Sequence, residues 1–259
     1  MYDDTVVFFH AHPDDEAIFT GLTMRRLADA GTRVVLATAT AGELGDPLVP
    51  LAPGETLAAR RCHELEAAAE ELGVARLVLF GRRDSGMPGW ADNAHPDALA
   101  AACHRSLAAR LADLCLVEQA AALVHYDSHG IYGHPDHVAV HRIGRLAAHH
   151  LGITAYEATV DREHLHLAQH AADGDHLVHA ANQGQPTPYG RVTAEIRLAV
   201  AGDAADLAAK RRAMGAHASQ ITAESVDLAG FAEVYGLEWY LREGPPATLD
   251  RLGNAHAIV

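Results

Sequence analysis

Residues 1–155 alternate between short apolar runs and longer segments with a helical period. The apolar runs contain many β-branched residues and predict strands at Thr5–His10, Arg33–Thr40, Arg76–Phe80, Ala121–Tyr126 and Ile153–Thr159. The intervening segments predict helices at Ala17–Ala30, Glu55–Leu72, Pro96–Ala120 and His137–Leu151. Strands without a polar face that are joined through helices pair in parallel, because both faces of the sheet are then covered. The pattern therefore predicts an α/β fold with a Rossmann-like, doubly wound, mainly parallel sheet and helices on both faces.

The periodicity weakens beyond residue 160. The segments predicted there are a partly helical stretch, a loop, a strand, a helix and a last strand, at Arg162–His179, Asn182–Gly190, Arg191–Val200, Ala204–Ala218 and Leu237–Arg242. We expect residues 1–259 to form a single α/β domain. In this prediction, residues 1–155 are the Rossmann-like half and residues 156–259 are a smaller, irregular part that completes the pocket.

Composition excludes several classes of partner. The 259-residue chain has 20 Lys and Arg against 34 Asp and Glu, and its net charge of −14 argues against a nucleic-acid or anionic-membrane surface. No apolar stretch reaches the roughly 18 residues that a membrane span needs. The acidic start of the chain does not resemble a signal peptide. The three cysteines are scattered, which predicts neither a disulfide framework nor a thiolate zinc site, so the expected compartment is the cytoplasm. The sequence leaves a homo-oligomer open.

Nineteen histidines make the position of each imidazole informative. Functional groups of a doubly wound sheet gather at the carboxyl ends of its strands. The loop after the first predicted strand, His10–Glu16, places two imidazoles and three carboxylates in seven residues. Such crowding is costly without a cation or open solvent. The alternative is a helix N-terminus with acids that favour the helix dipole, which explains Asp15 and Glu16 but not His12.

A second cluster follows the fourth predicted strand and spans His125–His137. Both clusters contain the sequence H-P-D, and adjacent strand ends would bring them together. Histidine and carboxylate donors without thiolate suit a catalytic zinc or a similar divalent ion. His137 and His141 have H-x-x-x-H spacing and could share one ion, but the glutamate of the helical metalloproteases is missing. We therefore favour a packing or supporting role for His141, and His10 and His125 could also support the ligands.

These motifs resemble those of the LmbE/PIG-L family of zinc-dependent N-deacetylases, most strongly its actinobacterial mycothiol-biosynthesis branch. A-H-P-D-D-E follows the first strand and G-H-P-D-H precedes the fourth predicted helix. Further matches are Gly42-Glu43-x-Gly45, Arg61-x-x-Glu64-Leu65, Asp84-Ser85-Gly86-Met87 and Lys210…His217-x-x-Gln220. The resemblance covers residues 5–155 well and returns near residues 205–241.

The resemblance implies roles for the matched positions. His12, Asp15 and His137 would be the metal ligands, and Asp14 would be the general base. His134 would act on the oxyanion or leaving group, with Asp136 hydrogen-bonded to that imidazole and raising its pKa. The remaining roles are transition-state stabilisation for Tyr132 and substrate binding for Arg61, Asp84, Met87 and Gln220. Two competing interpretations stay open, because Asp84-Ser85-Gly86 could only form a turn and Arg60 competes with Arg61.

The resemblance implies hydrolysis of an N-acetyl group from an N-acetylglucosaminyl small molecule by a metal-activated water with an aspartate base. Zn2+ is the expected cofactor, and Fe2+ or Co2+ would suit the same donors. Alternative activities are an amidase acting on a mycothiol-like conjugate and a deacetylase of secondary metabolites. A non-catalytic nucleotide- or sugar-binding domain is the alternative from another class. No G-x-G-x-x-G follows the first strand, which counts against dinucleotide binding.

Overall fold

A computed structural model describes residues 4–168 and 188–253. Within this part of the chain, seven strands form one sheet with the order β3-β2-β1-β4-β5-β7-β6. The strands are β1 Thr5–His10, β2 Arg33–Thr40, β3 Arg76–Arg82, β4 Ala122–Tyr126, β5 Thr154–Thr159, β6 Leu198–Ala201 and β7 Leu237–Glu243. The stretch predicted to be partly helical lies outside the described residues from residue 169 onwards. Most of the loop predicted at 182–190 lies outside them as well.

Helices connect the strands. They are α1 Asp15–Asp29, α2 Leu57–Glu71, α3 His104–Val117, α4 Gly130–Gly133, α5 Pro135–Leu151, α6 Arg162–Leu167, α7 Ala204–Ala216, α8 Ala223–Val226 and α9 Phe231–Tyr235. Short 3-10 turns occur at Ala91–Ala94, Thr193–Glu195 and Thr248–Arg251. Over residues 4–168 and 188–253, no helix combines the length and apolar character needed to cross a bilayer.

Strands β1 to β5 are parallel, which confirms the predicted fold class. Strand β1 lies between β2 and β4, with Val6 opposite Val34 on one side and Ala122 on the other. From β1 the chain builds outward to β2 and β3, then returns to add β4 and β5 on the opposite side. Because such crossovers are right-handed, this reversal places α1 and α2 on one face and α3 and α5 on the other. The reversal also opens a crevice between the carboxyl ends of β1 and β4, where ligands of such sheets bind.

The last two strands change the sheet direction. Strand β7 pairs antiparallel with both β5 and β6 and extends the sheet beyond the Rossmann-like half. The sheet thus contains strands from residues 1–155 and from residues 156–259, while the single-domain assignment stays a prediction. The strand predicted at Arg191–Val200 is wrong over its first seven residues, because regular pairing begins at Leu198.

The helix predicted at Pro96–Ala120 begins eight residues late, at His104. The preceding backbone pairs with the end of β3 instead: Arg83 bridges Ala98, and the Leu99 amide donates to the Arg83 carbonyl. A segment whose amides are bound to a strand end cannot also form helical hydrogen bonds. Composition alone, dominated by alanine and leucine, does not show this tertiary pairing.

A buried ion pair in residues 156–259 contacts helix α1 of the Rossmann-like half. Lys210 of α7 donates to Glu238 of β7 at 2.7 Å, and their side chains are 0% and 1% exposed. The Lys210 ammonium also donates to the Ile18 carbonyl, while Glu238 accepts from the amides of Leu22 and Thr23. The pair therefore satisfies peptide groups of α1 as well as each partner, which is the condition for burying two charges.

We expect Lys210→Met to lower the free energy of unfolding by about 3–5 kcal/mol, because it leaves the Glu238 carboxylate buried without a cation. Urea denaturation followed by circular dichroism measures this loss. The double variant Lys210→Met/Glu238→Gln should lose less than the single variant. Arg212→Met is the matched control on the same helix, since its ion pair with Glu71 is exposed and worth about 0–1 kcal/mol. Equal losses in the two single variants would contradict the interpretation.

Candidate active site

Nine of the eleven predicted site residues line one cavity at the carboxyl edge of the sheet. The cavity holds about 540 Å³ of space free of protein atoms. Its walls come from the loops after β1, β2 and β3, the segment before α5, and residues of α2 and the C-terminal part. The predicted residues that line it are His12, Asp14, Asp15, Arg61, Asp84, Met87, Tyr132, His134 and Gln220. His137 and Asp136 lie beneath its floor and are fully buried.

Three imidazoles and one carboxylate form the centre of this site. His12, His134 and His137 each offer a ring nitrogen within 4.8 Å of the other two. Asp15 lies between two of them, with its oxygens 3.4 Å from His12 Nδ1 and 3.3 Å from His137 Nε2. His12 and Asp15 come from the loop after β1 and the start of α1, and His137 comes from the first turn of α5. Both H-P-D sequences thus meet at one point, as the sequence predicts.

The donors fit a divalent metal ion. Neither ring nitrogen of the fully buried His137 makes a hydrogen bond within the described residues. Burial lowers the pKa of the His12 imidazole, but the carboxylates of Asp136 and Asp15 outweigh it and raise that pKa well above its ordinary value. The surroundings therefore favour positive charge at this point. Orphaned nitrogen and carboxylate donors in a buried acidic pocket are what a bound metal ion would satisfy.

Asp14 stands beside these donors in a strained conformation. Its φ of 115° lies in a region that residues other than glycine rarely adopt. The Asp14 amide donates to Glu16 Oε2 at 2.9 Å, and its carboxylate Oδ2 accepts from Arg61 at 3.1 Å. Burial raises the pKa of the Asp14 carboxyl to about 6, against the opposing charge of Arg61. Strain of this kind persists only where the surroundings hold it, and it is typical of functional sites.

A buried pair that the sequence reasoning missed holds this loop. Glu16 and His217 are both fully buried, and Glu16 Oε1 lies 2.5 Å from His217 Nε2. Burial alone would raise the pKa of Glu16, yet His217 lowers it, and Glu16 in turn raises the pKa of His217. Glu16 does lie in the first turn of α1, as the helix-dipole interpretation predicts, but that interpretation does not account for its buried partner. His217 stood in a matched motif, which was the available signal.

The backbone fixes the tautomer of His134. The Asp136 amide donates to His134 Nδ1 at 3.2 Å, so Nδ1 is the acceptor and a neutral ring carries its proton on Nε2. Burial, followed by the charges of His12 and His137, lowers the pKa of His134 to about 2. His134 is thus a neutral hydrogen-bond donor in this structure. Asp136 opposes this lowering, as the resemblance implies, but it does not outweigh burial, so the expected imidazolium is not favoured.

The Asp136 carboxylate has other partners. It accepts from the Ser85 amide at 3.0 Å and from the Ser85 hydroxyl, and its Oδ2 lies 3.2 Å from His12 Nε2. A carboxylate on one nitrogen of a ligating imidazole orients the ring and raises the basicity of the other nitrogen. Asp136 therefore orients His12 and anchors the loop after β3, and its carboxylate does not bond the His134 ring.

Tyr132 is held by a second strained turn. Ile131, which precedes it, has a φ of 64°, an uncommon value for a β-branched residue. The Ile131 amide donates to Asp127, and its carbonyl accepts from Gly190. The Tyr132 ring lies 4.8 Å from that of His137 between centroids. Asp127 also binds Thr159 of β5 at 2.6 Å, so this acid connects the turn to the sheet.

Arg61, and not Arg60, belongs to the site. Arg61 is buried and donates to the carbonyls of Gly42 and Pro13, whereas Arg60 pairs with Glu55 at the surface. Gly42 is required here, because its φ is +63° and an added Cβ would lie 2.3 Å from the Arg61 guanidinium. Arg61 therefore closes the cavity beside Asp14.

The loop after β3 forms the opposite wall. Asp84 accepts from the amides of Gly86 at 2.8 Å and Leu44 at 3.3 Å, so the predicted turn role is present and the residue also faces the cavity. Met87 and Trp90 are 45% and 47% exposed at the rim. Trp90 is a lining residue that the sequence reasoning missed, since no motif marks it.

The H-x-x-x-H pair does not share one ion. His137 faces the donors of the first loop, whereas His141 groups with His125 and Glu157 in a separate cluster. His10 is also removed from the cavity, because its ring lies between the hydroxyls of Tyr126 and Thr20 at 2.9 Å each. The metalloprotease alternative is therefore wrong for this chain.

The fold and site together define an α/β protein with a candidate metal centre and an adjacent carboxylate at the switch point of its sheet. A family model described as PIG-L, GlcNAc-PI de-N-acetylase, matches residues 7–148, more than half of the chain. The chain belongs to the PIG-L family, as the motifs predict.

Two curated relatives match most of the chain. A protein of Salinispora arenicola is 34% identical, over 92% of this chain and 84% of its own length. One of Nocardiopsis dassonvillei is 39% identical, over 83% of this chain and 84% of its own length. Both are named 1D-myo-inositol 2-acetamido-2-deoxy-alpha-D-glucopyranoside deacetylase.

Solved structures confirm the fold. The A40926 pseudoaglycone deacetylase Dbv21 superposes with a TM-score of 0.62 at 19% identity, covering 94% of this chain and 98% of the other. At this identity the likeness concerns architecture alone, and the arguments about the site rest on this chain's own residues.

We expect the central donors to bind one Zn2+ used as a probe. After chelator treatment and equilibrium dialysis at a fixed free zinc concentration, Asp15→Ala and His137→Ala should each bind one ion fewer per chain than the wild type, by elemental analysis. Each change removes a donor and lowers affinity steeply. His63→Ala, an exposed histidine, is the control and should bind as the wild type does. Unchanged zinc content in both site variants would exclude this centre.

Proposed function

We propose that this protein is a zinc-dependent hydrolase that removes the acetyl group from an N-acetylglucosaminyl small molecule. The observation that carries the proposal is the Asp14 carboxylate, held at the cavity wall beside the cluster of His12, Asp15 and His137. A simple metal-storage or sugar-binding module would not need such a base. The names of the two relatives support the acetylated amino sugar as the substrate class.

In this proposal His12, Asp15 and His137 hold the zinc ion, and Fe2+ or Co2+ would suit the same donors. When bound, the ion supplies Lewis-acid activation of the amide carbonyl and of the attacking water. The Asp136 carboxylate occupies Nε2 of His12. The ligand atom in the proposal is therefore His12 Nδ1, the nitrogen near Asp15. The donor set contains no thiolate, as is typical of catalytic rather than structural zinc sites.

Asp14 acts as the general base. Its carboxylate takes a proton from the water as the water oxygen attacks the acetyl carbon. It is prepared for this by Arg61, which fixes one oxygen, and by Glu16, which binds its amide. A carboxyl whose pKa burial raises to about 6 is a stronger base than an ordinary aspartate and is still ionised at neutral pH. The same proton is later available to the departing amine nitrogen.

His134 and Tyr132 act on the charge that develops. The neutral His134 ring presents its Nε2–H, because the Asp136 amide occupies Nδ1. That N–H is the donor we assign to the tetrahedral oxyanion, and preorganised donors of this kind stabilise the transition state without reorganisation. The Tyr132 hydroxyl is the second donor in the proposal, since burial keeps its pKa well above the ordinary value and the group protonated. Collapse of the oxyanion breaks the C–N bond and yields acetate and the free amine.

We assign substrate contact to the polar wall formed by Arg61, Asp84 and Gln220 and to Met87 at the rim. These groups lie around the base and the donors, where the sugar and its substituent would extend from the acetamide. The three cysteines are free thiols, which agrees with a reducing compartment, and we assign the reaction to the cytoplasm as part of the proposal.

The direct test is a substrate screen with the zinc-loaded protein. It compares 1D-myo-inositol 2-acetamido-2-deoxy-alpha-D-glucopyranoside, N-acetylglucosamine, N,N′-diacetylchitobiose and a mycothiol-like conjugate, with acetate and primary amine measured together. Equimolar acetate and amine from an acetylated amino sugar support the proposal. Amine release without acetate from the conjugate alone would instead favour the amidase. Inactivity on every compound would overturn the assignment of an N-acetyl amino sugar.

Asp14→Asn should reduce kcat by about 10²–10⁴-fold, the usual contribution of a positioned general base. The zinc content should stay that of the wild type, because Asp14 is not one of the ligands. Asp29→Asn, at the exposed end of the same helix, is the matched control and should retain full activity. If Asp14→Asn keeps wild-type kcat at normal zinc content, another group is the base.

His134→Gln should lower kcat by about 10²–10³-fold with little change in KM, as expected when one oxyanion donor is lost. Steady-state kinetics on the substrate identified in the screen measures kcat and KM separately. His149→Gln, on the exposed side of α5, should change neither parameter. A variant that raises KM alone would assign His134 to ground-state binding.

A further inference from the structure

A second group of metal-type donors lies on the opposite side of β4 from the Tyr126 ring. His125, His141 and Glu157 offer ligand atoms that all lie within 4.8 Å of one another. None of the three takes part in the proposed chemistry. They come from three elements: His125 from β4, Glu157 from β5 and His141 from α5. His125 and Glu157 are register partners on adjacent parallel strands, so their side chains project from the same face of the sheet.

One carbonyl sets the tautomer of both imidazoles. The Tyr126 carbonyl lies 2.9 Å from His125 Nδ1 and 3.1 Å from His141 Nδ1. A carbonyl oxygen only accepts, so each Nδ1 carries a proton and each neutral ring keeps Nε2 as a lone-pair donor. Backbone carbonyls on the remote nitrogen are the usual way in which proteins orient histidine ligands. This arrangement prepares two imidazoles for a cation rather than for each other.

The Nε2 nitrogen of His125 lies in the interior. His125 is fully buried, and its Nε2 has no hydrogen-bond partner in the described part of the chain. The helix above leaves the ring no room to turn away, because a Cβ on Gly144 would lie 2.5 Å from the ring. An unsatisfied buried nitrogen costs stability. Coordination of an ion would recover that cost.

The cluster meets a cavity through His141. His141 borders a cavity with about 810 Å³ of space free of protein atoms, which opens on the solvent. The Glu157 carboxyl lies 3.6 Å from His141 Nδ1. Burial raises its pKa to about 7, and a bound cation would favour its charged form. Arg145, at the rim, pairs with Glu243 at 3.3 Å, and its charge also acts on Glu157 from a distance.

We propose that His125, His141 and Glu157 form a second binding site for a divalent ion of the zinc type, separate from the catalytic centre. Two imidazoles and one carboxylate select transition-metal ions over Mg2+ or Ca2+, which prefer oxygen donors. The ion would join β4, β5 and α5. Because the first turn of α5 carries His137 and His134 immediately precedes it, the second ion would also stabilise the helix that presents catalytic-site residues.

Zinc stoichiometry tests the proposal without reference to activity. Chelator-treated proteins are dialysed at a fixed free Zn2+ concentration, and bound zinc is measured by elemental analysis. His141→Gln and Glu157→Gln should each bind one ion fewer per chain than the wild type. His149→Gln, an exposed histidine on the rim of the same cavity, should bind as the wild type does. The glutamines keep much of the volume, and Glu157→Gln provides the test if His141→Gln does not fold.

A second measurement isolates the site from the catalytic centre. In the Asp15→Ala background, added zinc should raise the thermal unfolding midpoint, and the rise should vanish in Asp15→Ala/Glu157→Gln. Mg2+ at the same concentration should have no such effect. Wild-type zinc content in both His141→Gln and Glu157→Gln would overturn the proposal. An equal loss in His149→Gln would also overturn it, by assigning the ion to surface histidines.

Discussion

The structure depends on three consecutive carboxylates where β1 passes into α1: Asp14 is half-buried, and Asp15 and Glu16 are buried. Each has a positive or polar partner from a different part of the chain. Arg61 of α2 faces Asp14, the imidazoles of the two H-P-D loops face Asp15, and His217 after α7 faces Glu16. Because an unpaired buried charge is strongly destabilising, these partners cannot be lost independently of the fold.

The same requirement explains why the site lies at the reversal of the sheet. In the described sheet, loops from its two sides meet between β1 and β4, and acids from one loop face imidazoles from another there. The backbone at a helix start also determines a tautomer. The Asp136 amide at the start of α5 determines which nitrogen of His134 carries a proton, and no charged side chain is needed to do so. Backbone geometry therefore determines which nitrogen of His134, in the G-H-P-D-H motif, carries the proton.

Strand positions were predictable because continuous apolar runs have few alternatives, and β1 and β2 were predicted with the bounds that the structure has. The convergence of the two H-P-D motifs followed from sheet topology. What sequence reasoning could not supply was pairing across distance. The late start of α3 at His104 and the Glu16–His217 pair both depend on such contacts. The partners of Asp136 were misjudged for the same reason, since proximity in sequence suggested His134 and the fold supplied Ser85 and His12.

The Glu238 carboxylate on the amides of Leu22 and Thr23 has a consequence for how this protein can change. Strand β7, near the end of the chain, reaches into the middle of the helix whose first turn carries Asp15. The Rossmann-like half thus depends on contacts from β7 to hold the helix that carries Asp15. Shortening the chain before β7 would remove the acceptor of two buried amides and the carboxylate partner of the Lys210 ammonium. Diversification of substrate range is therefore expected in the loops at the cavity rim, while the late strand that contacts α1 stays constrained.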